Sequence, residues 1–355
     1  MAVDLAAVLS EGRGVSARHA RLLPPPVSLV SKEKQLCSLW AGYGRVTAVD
    51  VLDGRGSRSP VVVKRVAPPA SNSDAVGHAR KLDSYRAEAC FYRSVGGALA
   101  GDGGCQVAAP LAVVEDGAGG RYALTLALTD LRPTHPHFCK GSLNSAQLKA
   151  CLRWLAAFHA SFWGLAGAPP DLATRQGTFW HLATRPDEHA SMPDCGEWGE
   201  LKRAAAAIDA RLRARASGPH GTLVHGDAKA ANFCWAAREG GSEAAAFDFQ
   251  YVGAGVGARD VAYLLSSAGS ASDGEGACLD LYHEALMEEL ASRGRDPAGY
   301  DRETLRSDYD LSAADFVRFM AGWGWWGAGA DRAAATARVV AARVLREDEG
   351  GREAP

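Results

Sequence analysis

His225 to Asn232 reads HGDAKAAN, and Phe247 to Gln250 reads FDFQ. Phosphoryl transfer from Mg·ATP needs a carboxylate to orient the attacking hydroxyl, an amide and a second carboxylate to hold Mg²⁺, and a cation beside the migrating group. Asp227, Asn232, Asp248 and Lys229 supply one of each. A strand ending at Leu223-Val224 would deliver Asp227 at its mouth, and Asn232 opens the next apolar run, Phe233-Cys234-Trp235. Arg238-Glu239-Gly240-Gly241 has the glycine content of a hairpin connection, and Ala244 to Phe249 reads as a buried return strand with Asp248 at its end. Adjacent strand ends would then bring Asn232 and Asp248 to one metal position. The bland alternative is a chance His-x-Asp-x-x-x-x-Asn spacing and a structural acid at 248; the two motifs together weaken it.

The rest of the chain fixes the frame. At 355 residues it exceeds the usual span of one core, so two lobes are expected. Hydrophobic content of 47% supports a globular fold, and a formal net charge of -2 gives no footprint for nucleic acid or an anionic membrane. Any bound anion must be captured locally. Eight cysteines are scattered without a CxxC pair, as expected of reduced thiols. No apolar run approaches the roughly 18 residues of a membrane span, and residues 1 to 23 lack a secretory core. These features read as a cytoplasmic protein; Arg13, Arg18 and Arg21 in an Ala- and Ser-containing start faintly suggest a transit peptide, which Asp4 and Glu11 oppose.

The first half reads as a nucleotide clamp. Leu36 to Trp40 and Arg45 to Leu52 form two candidate strands around Ala41-Gly42-Tyr43-Gly44, where Gly42 and Gly44 would let backbone N–H groups approach phosphates. Most Gly-containing hairpins are only turns, so the weight falls on Val61 to Val66. There Lys64 shares a strand face with Val62 and Val66. Ser84 to Val95 reads as a helix with Glu88 in the same arc as Tyr85, Tyr92 and Val95. A lysine and an acid on apolar faces each need a partner, and pairing Lys64 with Glu88 resolves both while aiming the ammonium at the nucleotide α- and β-phosphates. The alternative is two surface residues with snorkelling stems. Ala67 to Asp74 and Gly96 to Gly104 read as loops. Gly119-Gly120 precede an apolar strand from Arg121 to Leu128, and Thr129 to Pro133 reads as the hinge, with adenine expected against the backbone of Ala127 and Leu128.

The second half reads as helical. Ser145 to Trp163 places Leu148, Cys151, Leu152, Leu155, Phe158 and Phe162 at helical spacing. His159 lies near that stripe and reads as a core residue. Leu201 to Ser217 is a second helix. Glycines at 253, 255 and 257 read as a mobile loop, and Asp260 either caps the helix it opens or braces the catalytic loop. Two aromatic clusters, around Trp180 and from Phe316 to Trp326, are expected mainly in the core; Trp180, Trp323 and Trp326 are also candidates for the wall of a ring-bearing substrate. The tail from Glu347 to Pro355 reads as disordered.

Taken together, SYRAEACFYRSV from Ser84, LAAFHASFWG from Leu155, HGDAKAAN, FDFQYVG from Phe247 and RDVAYLL from Arg259 resemble the aminoglycoside phosphotransferase and choline kinase superfamily, and more closely its ecdysteroid kinase-like (CHK kinase-like) branch. The resemblance spans about residues 35 to 330. It implies an α+β, bilobal protein-kinase-like fold, with a small β-rich N-terminal lobe and a larger helical C-terminal lobe. It implies Asp227 as catalytic base, Asn232 and Asp248 as Mg²⁺ ligands, Lys64 with Glu88 as phosphate clamp, and Asp260, beside His225, as support for the catalytic loop. Lys229 departs from many small-molecule members and matches the protein-kinase order of Asp, one spacer, Lys. Gly226, Gln250 and the lack of an APE segment stand against a protein kinase. The expected organisation is an extension over 1–30, a nucleotide-clamp lobe over 31–128, a catalytic lobe over 129–346 and a tail over 347–355. The expected activity is ATP-dependent phosphorylation of a small hydroxylated metabolite. A nucleotide-binding pseudokinase or scaffold and an atypical protein kinase are the alternatives.

Overall fold

A computed structural model describes residues 3–69, 75–100, 104–117, 121–236, 243–268 and 274–350. The chain divides into two compact units, one of Met1–Pro136 with Ala245–Gln250, the other of His137–Ala244 with Tyr251–Pro355.

The first unit is built on an antiparallel sheet. Its strands are β1 (Ser28–Leu29), β2 (Lys34–Ser38), β3 (Gly44–Leu52), β4 (Arg58–Val66), β6 (Pro110–Asp116) and β7 (Ala123–Thr129). They lie in the order β1-β3-β4-β7-β6, with β2 also on β3. The first candidate strand ends earlier than expected, since Trp40–Gly42 form a helical turn. Alternation places Val49, Val51, Val61 and Val63 on one face, where they pack with Leu111, Ala112 and Ala127 against Leu5, Val8, Leu9, Leu23 and Val27. The segment expected to precede the lobe as an extension over 1–30 therefore supplies, through Leu5 to Val27, one side of its core. Helix α1 (Leu5–Glu11) is capped by Asp4, whose carboxylate accepts from the Ala6 and Ala7 N–H groups, and stopped by Gly12 at φ 56°. The Val113 N–H donates to Arg13 O at 2.8 Å, tying this segment to β6.

The segment after β4 folds into α3 (Ala75–Phe91), a π-helical turn over Tyr92–Gly96, and α4 (Gly97–Leu99). The loop expected from Gly96 thus begins later, and residues 101–103 lie outside the described set. The glycine at 97 serves packing: a Cβ there would sit 2.3 Å from the His19 ring in α2 (Ala17–Ala20). Of the other expected loops, residues 70–74 and 118–120 also lie outside the described set. Strand β11 (Ala244–Ala246) pairs in parallel with β5 (Gln106–Val107), Ala246 opposite Val107. It stops short of the expected Phe249, because Asp248 has φ 68°, a left-handed conformation incompatible with a strand.

The second unit is mainly helical: α5 (Ser145–Ser161), α6 (Pro170–Ala173), α7 (Pro186–Ala190), α8 (Gly199–Ala216), α9 (Ala258–Ala268), α10 (Glu275–Ser292), α11 (Arg302–Trp323) and α12 (Ala330–Gly350). Asn144 and Gln147 form a capping box on α5. Two short antiparallel pairs join them, β8 (His137–Phe138) with β10 (Phe233–Trp235), and β9 (Gly221–Val224) with β12 (Gly253–Val256). The expected glycine loop is thus partly a strand, and its glycines answer crowding: a Cβ on Gly257 would lie 2.3 Å from the Tyr282 hydroxyl and 2.6 Å from His159 Nδ1. The turn expected at Arg238–Gly241 lies outside the described residues, but the Ala236 N–H donates to Glu243 O at 3.0 Å. The tail reading is corrected at its start: Glu347 and Asp348 belong to α12 and pair with Arg211 at 2.6 and 3.0 Å, whereas 351–355 lie outside the described set. Among the described residues no helix is long and apolar enough to cross a membrane.

Candidate active site

In the second unit, β9 delivers the chain to His225-Gly226-Asp227. The Asp260 carboxylate, in the first turn of α9, accepts the His225 N–H at 2.6 Å and the Gly226 N–H at 2.9 Å. Its Oδ2 also lies 3.1 Å from His159 Nε2, and His159 Nδ1 is 2.8 Å from the Tyr282 hydroxyl. Asp260 and His159 are both fully buried, so this chain of polar groups is a brace fixed to α5, α9 and α10. The His225 ring packs beside Phe233 and edge-on to Trp154, and its Nδ1 accepts the Asp227 N–H at 3.3 Å. Gly226 has φ 81°, and a Cβ there would meet Tyr251 O at 2.0 Å. Only glycine fits.

Asp227 itself is 4% exposed. Asn232 Nδ2 donates to its backbone oxygen at 2.8 Å and to Oδ2 at 2.9 Å, and Lys229 Nζ reaches Oδ2 at 2.8 Å. The Tyr263 hydroxyl bonds the same carboxylate; burial first, then the Asp227 charge, pushes that phenol well above its ordinary value, so it remains a proton donor. Asn232 spends its amide hydrogens on Asp227, which turns its carbonyl oxygen away from that carboxylate.

In the first unit, Lys64 Nζ lies 2.7 Å from Glu88 Oε2 and 2.9 Å from Asp248 Oδ1. Lys64 and Glu88 are 7% and 2% exposed. Burial alone would lower the ammonium, but the Asp248 and Glu88 carboxylates outweigh it and the net displacement is upward. Burial pushes the Glu88 carboxyl up to about 7 against the pull of Lys64, with the Asp248 charge adding to the rise. Lys64 thus rises because two anions share it, and Glu88 rises because burial outweighs the pull of that shared cation. Phe249 is wholly buried and stacked on Phe91 of α3 at 3.9 Å.

Other expected positions fare differently. The backbone of Ala127 pairs with Val63 on one side and Ala112 on the other, and Leu128 with Val62 and Pro110. Both residues lie inside two ladders, so adenine has no free edge there and any backbone contact must come from the chain after Thr129. A Cβ on Gly44 would meet Arg65 O at 1.9 Å, which makes that glycine a requirement of the β3–β4 approach; around Gly42 the space is open. Trp180 is fully buried, its ring 4.6 Å from Tyr263 and 5.4 Å from Phe316, so it is core and offers no wall. Trp323 is 58% exposed and stacked on Phe319, and Trp326 stands edge-on to Tyr263 at 5.8 Å. Sequence reasoning missed Tyr263, Gln250 and the buried Arg259–Asp315–Arg318 triad beneath Trp180. The triad had one signal, charges on otherwise apolar helical faces.

A curled antiparallel sheet in one unit and a helical second unit, with these loops, define the protein-kinase-like phosphotransferase fold. Residues 48–303 match the family described as phosphotransferase enzyme family, and the chain belongs to it; it is an enzyme of phosphoryl transfer. Among solved structures, a microcompartment-associated aminopropanol kinase aligns with a TM-score of 0.54 at 16% identity, covering 89% of this chain and 94% of that one. A choline/ethanolamine kinase family protein from Mesorhizobium loti aligns at 0.44 and 15% identity over 93% and 92%, and a choline kinase from Cryptosporidium parvum at 0.42 and 9% over 91% of each chain. Comparison with curated proteins finds no match.

Proposed function

We propose that the protein transfers the γ-phosphoryl group of ATP to a hydroxyl of a small-molecule metabolite, as a member of the ecdysteroid kinase-like branch of its family. The observation that carries this reading is the Asp227 carboxylate, buried yet held by Asn232, Lys229 and Tyr263 in one orientation. Such a group aligns an acceptor hydroxyl and takes its proton as the phosphoryl group moves. Lys229, whose side chain is 38% exposed, can leave Asp227 for the migrating phosphoryl oxygens. Lys64, held by Glu88, serves the α- and β-phosphates.

The donor set fits Mg²⁺. Mg²⁺ takes one or two protein oxygens and completes its shell with phosphates and water. Asp248 supplies a carboxylate in a surrounding short of positive charge, and Asn232 supplies a carbonyl oxygen. When bound, the ion would neutralise charge on the phosphates. The second unit also holds an open cavity of about 710 Å³ lined by Trp198, Trp323, Trp325, Met320, Asp331 and Arg338, and Trp323 is a candidate for the wall of a ring-bearing acceptor there.

Incubating the purified protein with Mg·ATP and a fractionated metabolite extract, followed by mass spectrometry, should reveal phosphate-sized mass gains. Asp227→Asn should lower turnover by about a thousandfold or more while leaving nucleotide affinity within a few-fold. An unchanged rate removes Asp227 from the mechanism. Mg·ATP-dependent thermal stabilisation without any phosphorylated product would favour a pseudokinase, and label on polypeptide alone a protein kinase.

A further inference from the structure

Helix α3 reaches Asp248 by two routes. The first runs through Glu88 and Lys64, described above. The second begins one turn earlier, at Ser84, which at a spacing of four residues shares the Glu88 face. The Ser84 hydroxyl back-bonds to Lys81 O at 2.8 Å and makes a longer contact, 3.3 Å, with Gln250 Oε1. Gln250 Nε2 donates to Asp248 Oδ1 at 2.8 Å, the same oxygen that Lys64 reaches at 2.9 Å. Between them, Phe249 is stacked on Phe91 of the same helix, 14° from coplanar. One helix therefore grips three successive residues.

The grip has a physical purpose. With φ at 68°, Asp248 sits in the left-handed region that L-residues rarely adopt, and β11 ends two residues before it, so no ladder sets its side-chain direction. A carboxylate that must present one oxygen to a cation needs its other oxygen tied down. Lys64 alone is a poor tie, since it is shared with Glu88 and is needed for phosphate. A neutral amide donor suits this role, because a carboxylate at 250 would repel Asp248 and a cation there would oppose a metal.

We propose that Gln250 is a positioning residue that orients Asp248 for a divalent cation, and that Ser84 links this orientation to α3. The proposal rests on the reading of Asp248 as a metal ligand. Metal affinity then depends on the placement of the helix as well as on the ligands.

The test measures Mn²⁺ affinity by electron paramagnetic resonance with a non-hydrolysable ATP analogue, alongside the Mg²⁺ dependence of turnover and hydrogen exchange of α3 in the metal-free protein. Gln250→Leu should weaken Mn²⁺ binding by about tenfold, the scale of one hydrogen bond to a charged group. It should raise half-saturating Mg²⁺ by a similar factor while kcat at saturating Mg²⁺ falls by less. Ser84→Ala should have a smaller effect, and none when added to Gln250→Leu; exchange near Ser84 should quicken in both. Gln250→Met serves if the leucine variant does not fold. Wild-type Mn²⁺ affinity in the Gln250 variant, with affinity lost in Asp248→Ala, overturns the positioning role alone. Unchanged affinity in Asp248→Ala overturns the underlying site assignment.

Discussion

At the scale of single residues, burial of Glu88, beside a Lys64 that it shares with Asp248, makes the stability of the resting protein depend on pH. The Glu88 carboxyl is raised from 4.5 to about 7 by burial. Below the ordinary value both folded and unfolded chains are protonated there. Between 4.5 and about 7 the folded chain keeps a proton that the unfolded chain has released, so the stability this proton gives is lost as pH rises through that window. In metal-free buffer the thermal midpoint should fall across the window more steeply for the wild type than for Glu88→Gln, as calorimetry would show; parallel curves would mean that Glu88 is ionised throughout. Lys64 and Glu88 were legible in the sequence because each is a charge on an apolar face. Gln250 and Tyr263 were not, because an amide in a loop and a tyrosine in an apolar helix are ordinary until their partners, Asp248 and Asp227, are placed beside them.

Among the elements, the catalytic loop depends on close approaches that a side chain would block. Gly226→Ala would force a Cβ to within 2.0 Å of Tyr251 O at a φ of 81°. Strain plus displaced backbone should cost about 2 kcal/mol or more, read as an earlier urea midpoint with an unchanged slope, together with loss of turnover. A stable, fully active variant would show that the loop has room to move. Helices α5, α8 and α9 and strands β3, β4, β7 and β9 were readable from periodicity, with ends shifted by a few residues, whereas α1, α10, α11 and α12 went unread. Two readings failed for a common reason. The apolar run Ala244 to Phe249 hides a left-handed Asp248, and the glycines from 253 to 257 look like loose chain, yet they are there because Arg175, Val224, Tyr282 and His159 crowd them. Neither backbone hand nor distant crowding leaves a periodic trace.

For the molecule as a whole, the start of the chain is structural. Leu5, Val8, Leu9, Leu23 and Val27 cover a sheet face made of Val49, Val51, Val61, Val63 and Leu111. Each such side chain contributes roughly 1.5–3 kcal/mol by burial. A chain lacking residues 1–27 should therefore bind the dye ANS strongly and elute as aggregates in size-exclusion chromatography; a monodisperse, dye-free product would show that the covering is dispensable. This role was hidden in the sequence because α1 is only seven residues long and its partners lie on four later strands.

The first unit is also discontinuous, since its last piece, Ala245–Gln250, follows more than a hundred residues of the second. Lys64 and Asp248 are 184 positions apart. At translation speeds of about 5–20 residues per second, the nascent clamp waits on the order of ten seconds for its missing carboxylate. Over that interval β5 has not yet met β11, and Phe91 stands without Phe249. The first unit thus cannot complete its core or its ion pairs until the chain has passed Gln250.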